Sequence, residues 1–430
     1  MSPTLFQVFS PALTTLFASI DGNTKAGVPV FSGSPGSISK RKNQHGVEYY
    51  VHRFYGGDGA QHETYLGVVG ECDNQVENLR GQIEEVKALM PELRLLVREG
   101  FQAADQKTYA TLASLYQHGL FAAGATLIGS HAFGVLLNQM GVRAAAYATE
   151  DVDVARREVL AFEHMPEKNF LEMLRDSGIN FVEVPGFERK DPPTSFKQQG
   201  MSRFHVDLLV PSPNNQVRII QVPELKAHAT ALPYLAYVLE QTQIATMIGR
   251  EGCCPVRVPV PERFAVHKLI VSQLRTNRNT KSEKDTHQAA ILLAALGERH
   301  PGAIESAVEG LPISARKYLI QAVPFALDVM QGHPRAIEEL NSAMASLALT
   351  KNVMEASKPS TEEVDSVRRR SHAVIIKEAQ EKAAQDFPND LRMQNAFVYE
   401  IGHDLGLKRE EVSEIMNRLR SVSRDSDLSR

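Results

Sequence analysis

The run Thr149-Glu-Asp-Val-Asp-Val154 limits what this chain can fold into more than its size or composition does. It places two carboxylates at alternate positions of an apolar stretch. Alternate residues of a strand share a face. Asp151 and Asp153 therefore project together, while Val152 and Val154 face the other way. Like charges side by side repel, and ordinary sheet packing does not reward them. A divalent cation does.

Two further segments extend the pattern. Leu127-Ile128 reads as a buried strand, and Gly129-Ser130 then opens a helix from Ala132 to Met140 that ends at Gly141. Ser130 at the N-cap satisfies the free amides of a first turn, or the same amides and hydroxyl hold a phosphate. Ser202-Arg-Phe-His-Val-Asp-Leu-Leu-Val210 supplies a third apolar run. With Val206, Leu208 and Val210 on one face, His205 and Asp207 lie on the other, His205 as a supporting group or a core histidine. Three carboxylates from two neighbouring strands can hold two Mg²⁺ ions, with Mn²⁺ as an alternative, and such ions bridge the phosphates of a nucleoside triphosphate.

The order Gly-Ser, then Asp-x-Asp, then a lone Asp between apolar residues resembles the nucleotidyltransferase superfamily of DNA polymerase β. A later stretch, Pro261-Glu-Arg-Phe-Ala-Val-His-Lys-Leu-Ile-Val-Ser-Gln-Leu-Arg275 followed by Lys284-Asp285, is similar to the helical motifs of abortive-infection (AbiEii-type) nucleotidyltransferases. The resemblance implies metal binding by Asp151, Asp153 and Asp207. It gives Gly129, Ser130, Lys268 and Arg275 to the NTP, with Lys268 on the triphosphate, and has Asp285 support the metal or that lysine. The plainer readings are a surface Lys268 and a capping box over Ser282–Asp285. The implied reaction moves NMP from an NTP to a hydroxyl acceptor, an RNA 3′ end, tRNA-like or other nucleic acid, or a protein side chain. It releases pyrophosphate, and a defence or toxin role goes with the family. A reading of another class is a binding protein for nucleic acid or a protein partner, built on a retired transferase domain.

Outside these motifs, residues 1–35 read as an irregular arm. Residues 36–70 read as a three-stranded meander in which Lys40, Arg41, Lys42, His52 and Arg53 interleave with Tyr49, Tyr50, Phe54 and Tyr55. In 71–104 the residues Val76, Leu79, Ile83, Val86, Met90, Leu93 and Val97 form a heptad seam. Pro91 is expected to kink or split that helix. The seam serves either internal packing or a homodimer. Residues 105–258 then form the core and 259–352 a helical domain completing the site. A linker follows, and 361–430 form a helical tail containing Arg368, Arg369 and Arg370. The fold class expected is α+β: a mixed sheet, a small antiparallel meander followed by a long helix, and C-terminal helices. A formal net charge of −4 confines any nucleic-acid contact to local patches. Three cysteines, too few for a disulfide framework, suit reduced thiols in the cytoplasm, and no apolar run is long enough to span a membrane.

Overall fold

The computed structural model describes residues 4–145, 149–186, 191–275, 280–347, 376, 379–380, 383–384, 390–404 and 408–417. The chain divides into two compact units. The first comprises Met1–His267, Ile291–Pro312 and Met330–Ala343, and the second Lys268–Ala290, Ile313–Val329 and Met344–Arg430. The expected linker and the Arg368–Arg370 cluster lie outside the described residues, as does much of the 361–430 tail.

The N-terminal arm is not irregular. Strand β1 (Phe6–Val8) leads into helix α1 (Pro11–Ala26). Ser10 caps the helix, Pro11 starts it, and Gly27 ends it in the left-handed conformation at φ 116°. Gly22, Asn23 and Thr24 are weak helix formers. Burial of Phe17 and Ile20 in a cluster with Phe9, Phe101 and Ile248 holds the segment helical.

Strands β2 (Ser37–Lys42), β3 (Glu48–Tyr55) and β4 (Gln61–Val68) form the antiparallel meander. Helix α2 (Asp73–Arg98) follows as a single 26-residue element with Pro91 inside it, so the expected split does not occur. Val86, Leu93 and Leu96, on both sides of the proline, are buried in one cluster with α1. That packing outweighs the one missing backbone bond. The heptad seam is thus used within the chain.

Helix α3 (Gln106–Gln117) and strand β5 (Thr126–Ile128) come next, then α4 (Gly129–Gln139), β6 (Val142–Ala144) and β7 (Asp151–Ala155). After α5 (Phe170–Arg175) come β8 (Phe181–Val184), β9 (Ser195–Gln198), β10 (His205–Pro211), β11 (Arg218–Val222) and β12 (Ala227–Leu232). The central sheet is mixed, in the order β11-β12-β10-β7-β5, with β9 and β8 attached beside β10. β7 and β12 run parallel to β10, while β5 runs antiparallel to β7. Val152, Val154, Val206, Leu208 and Val210 are buried on one face, which leaves the carboxylates to the other.

Helix α6 (Leu235–Val238) precedes a hairpin of β13 (Thr242–Ile248) and β14 (Cys253–Pro259). Cys253 and Cys254 are buried free thiols, as is Cys72. Helices α7 (Pro261–Leu274), α8 (Thr280–Arg299), α9 (Ala303–Glu309), α10 (Arg316–Val329) and α11 (Pro334–Ser346) follow. They do not form one separate body: α9 belongs to the first unit, where the Tyr237 hydroxyl donates to Ala307 O at 2.7 Å. Among the described residues no helix is long and apolar enough to cross a membrane.

Candidate active site

The register of the central sheet brings the three carboxylates together. Asp153 on β7 is paired with Asp207 on β10, and Asp151 with His205. Parallel strands lie about 5 Å apart, and directly paired residues share a face. Asp151, Asp153, His205 and Asp207 therefore occupy one patch, backed by the buried valines. All four are partly exposed.

Gly129 meets the same patch from β5, whose last residue, Ile128, is paired with Asp153. Gly129 has φ 71°, and a Cβ at this position would overlap Asp153 Oδ2. Both the left-handed backbone and the close approach require glycine here. Helix α4 begins at Gly129 itself, and no side chain caps it. The expected N-cap role of Ser130 is therefore not observed: Ser130 lies in the first turn of the helix.

His205 sits between the carboxylates, with Nδ1 3.4 Å from Asp151 Oδ1 and Nε2 3.6 Å from Asp207 Oδ2. The Asp207 carboxylate beside it is the main cause that raises its pKa to about 9; the contact of Nδ1 with Arg203 O at 2.9 Å adds to the rise, and partial burial opposes it. An imidazolium thus offsets part of the negative charge of the patch. The Ser195 hydroxyl, on β9 directly opposite Asp207, donates to Asp207 Oδ1. Sequence reading missed Ser195, because the segment between β9 and β10 carries no pattern that fixes their pairing. Among the described residues no three His, Cys, Asp or Glu side chains are drawn together closely enough to enclose an ion as they stand. Apart from the His205 imidazole, the groups facing the patch are carboxylate and hydroxyl oxygens, hard ligands of the kind Mg²⁺ takes, and in that chemistry they fit the ion.

In the second unit Lys268, Arg275 and Asp285 meet one another. Lys268 Nζ donates to Asp285 Oδ1 at 2.6 Å, and Arg275 Nε donates to Asp285 Oδ2 at 2.8 Å. Lys268 is buried rather than a surface lysine, and Asp285 is buried too. The capping box over Ser282–Asp285 is absent. Helix α8 starts earlier, at Thr280, and the Ser282 hydroxyl donates instead to Ser272 O at 2.6 Å.

Residues 106–311 match a family model described as Nucleotidyltransferase. They form a nucleotidyltransferase domain. The chain is therefore an enzyme of nucleotidyl transfer. The match runs from the start of α3 to just past α9 and includes every residue singled out above, whereas α1, the meander and α2 precede it. No curated protein and no solved structure matches the chain at a significant level.

Two hollows lie beside residues of the patch. One, of about 360 Å³, is lined by Gln102, Asp105, Ser130, His131 and Thr149. The other is a broader groove of about 800 Å³ lined by Thr194, Ser195, Gln221, His228 and Thr230. His228 and Thr230 share the sheet face of Asp207, because Thr230 is paired with Leu209, two residues beyond it.

Proposed function

We propose that the chain is a Mg²⁺-dependent nucleotidyltransferase that moves NMP from an NTP to a hydroxyl acceptor. The observation that carries this reading is the pairing of Asp153 with Asp207 on parallel strands, with Gly129 pressed against Asp153. Repelling carboxylates in register have no packing benefit, and a binding module would gain nothing from keeping them.

In the reaction, the acceptor oxygen forms a bond to the α-phosphorus. The bond from that phosphorus to the α–β bridging oxygen breaks, and pyrophosphate leaves with the electron pair. Asp151, Asp153 and Asp207 would hold two Mg²⁺ ions, which supply charge neutralisation on the phosphates. Asp207, held by Ser195, orients the acceptor hydroxyl and takes its proton, directly or through water. Gly129 lets the backbone at the start of α4 come close to the site, and that helix start with Ser130 offers donors to a phosphate. With the ions bound, His205 would give up its contacts to Asp151 and Asp207. The hollow beside Ser130 suits the triphosphate and the groove beside Ser195 suits the acceptor.

Lys268 and Arg275 keep the triphosphate role that the abortive-infection resemblance gives them, with Asp285 as the carboxylate that positions both. Acceptor classes that this chemistry admits are an RNA 3′ end and a protein hydroxyl, and a defence or toxin role in a reducing cytoplasm fits the same resemblance. The test is transfer of α-labelled NMP, together with the thermal midpoint in the presence of Mg²⁺ and each NTP, since a ligand bound only by the folded state raises it. A chain whose midpoint ignores all four nucleotides with Mg²⁺, and which transfers no label to RNA or protein, would rule the reading out.

A further inference from the structure

The β2–β3–β4 meander lies outside the matched segment, and its two faces differ. Strand pairing puts Arg41, Tyr49, Arg53, Tyr55, Glu63 and Tyr65 on one face. The opposite face carries Tyr50, which is buried with Cys72 and Val76. That inner face explains the meander as a cover for α2 and leaves the outer one unexplained. A sheet face meant only for water has no need of tyrosines, yet Tyr65 is 61% exposed and Tyr55 52%. The rings of Tyr49 and Tyr65 lie 5.6 Å apart at an interplanar angle of 43°.

Charge on this face is organised as well. Glu63 on one edge strand binds Arg53 on the central strand, at 2.9 Å, and Arg41 on the other edge strand. The carboxylate holds both guanidinium groups over the sheet. Each keeps N–H donors directed away from it, since Arg53 contacts it through Nε and Arg41 through Nη2. The three strands carry Lys40, Arg41, Lys42 and Arg53 against Glu48 and Glu63, a positive island in a chain of net charge −4. Lys40 is on the inner side and stands over the Tyr50 ring at 5.3 Å.

The meander is also seated on the nucleotidyltransferase domain. Gly57 N–H donates to Ser177 O at 2.8 Å, and Gln106 Nε2 donates to Gly56 O at 2.8 Å. A Cβ on Gly57 would come within 2.9 Å of Ala110 and Ile179, so the turn sits tightly. Ser177 and Ile179 lead into β8, and β8 pairs with β9, the strand whose Ser195 holds Asp207.

We propose that the outer face of the meander is a stacking platform for single-stranded nucleic acid, with Tyr65, Tyr55 and Tyr49 under the bases and Arg41 and Arg53 on the phosphates. Exposed aromatic rings between fixed cations match a strand in which flat bases and negative charges alternate. Tyrosine and arginine also occur at protein interfaces, so the salt slope and the loss per ring are the readouts that assign this face to nucleic acid. The inference that this strand is the acceptor rests on the transfer reading above; the binding itself does not.

The experiment measures fluorescence anisotropy of labelled oligonucleotides of about 12 residues, RNA and DNA, with the full chain at salt between about 50 and 200 mM. Tyr55→Ala with Tyr65→Ala should weaken binding by about tenfold per ring removed, and the pair Tyr55→Phe with Tyr65→Phe should restore it. Arg41→Ala with Arg53→Ala should flatten the salt slope by about 0.7 for each phosphate no longer neutralised. All four side chains are exposed, so unchanged thermal midpoints report intact folding. If the wild type binds the oligonucleotide with this dependence on Tyr55, Tyr65, Arg41 and Arg53 but transfers no label, the catalytic reading fails and the platform stands. A wild type that binds neither oligonucleotide, or a Tyr55→Ala, Tyr65→Ala variant with wild-type affinity, overturns the proposal. So does a concentration-dependent dimer that the same substitutions abolish while nucleic acid stays unbound, since that assigns the face to a second copy of the chain.

Discussion

Asp207 and Asp285 are both carboxylates in otherwise apolar surroundings, and they live in opposite electrostatic conditions. Asp285 is buried and meets two cations, Lys268 and Arg275. Asp207 is partly exposed, shares a sheet face with Asp151 and Asp153, and has one imidazolium and one hydroxyl beside it. The carboxylate of the first cluster is fully paired by its own neighbours, two cations against one anion. Among the described residues the second sets three carboxylates and one imidazolium on one sheet face. A fold can keep a paired buried carboxylate for its own stability, because removing it strands a cation. Like charges gathered on a sheet face do nothing for stability, and under the transfer reading proposed above a bound cation accounts for them.

The largest test of this contrast is Asp153→Asn. Transfer should fall by about a thousandfold or more, several kcal/mol of barrier, while the thermal midpoint stays level or rises as repulsion is relieved. Near wild-type transfer by a folded variant would remove the metal-site assignment. Asp285→Asn should do the reverse on the stability axis, lowering unfolding free energy by about 3 kcal/mol because the buried ion pair with Lys268 is broken. Should denaturant titration show no loss, the second cluster is not a structural one. Lys268→Ala then separates the two roles: titration calorimetry should show weaker NTP binding if the lysine touches phosphate as a point charge, and no change if it serves Asp285 alone.

A smaller effect is expected at Gly129. Gly129→Ala forces a left-handed backbone on a residue with a Cβ, about 1–2 kcal/mol, and pushes on Asp153. Transfer should therefore suffer more than the midpoint does. Equal loss in both would mean that the glycine serves the turn and not the carboxylate.

The smallest effect is the pH dependence of stability with Mg²⁺ removed. The folded-state pKa of His205 is raised from 6.5 to about 9. A raised pKa means that the charged form is favoured in the folded chain. Its contribution is full below pH 6.5, declines above it, and is gone once pH passes about 9. His205→Gln should flatten the midpoint-against-pH curve across that window. A parallel drop with pH in the variant and the wild type would assign the loss to other groups.

Much of this site was legible in the sequence because strand periodicity is local. Alternation alone placed Asp151 with Asp153, and His205 with Asp207, on one face each, and the buried valines between them bear this out. Resemblance supplied the reaction class. The helix at Pro11–Ala26 was not legible, since weak formers at its end hide a segment held by long-range burial. Nor was the unbroken α2, where packing on both sides of Pro91 overrides a local breaker.

The sequence by itself determined that two pairs of side chains must share faces and that Gly129 marks a special turn, because these follow from the geometry of a single strand or turn. Only the tertiary structure decided that Asp153 stands opposite Asp207, that Gly129 lies against Asp153, and that Ser195 reaches Asp207. It alone sorted the tyrosines of the meander, burying Tyr50 and exposing Tyr55 and Tyr65. Register between strands is set by the burial of whole faces across the sheet, and a one-residue slip would turn every side chain to the other side. That information is spread over the entire fold, so no local stretch of sequence contains it.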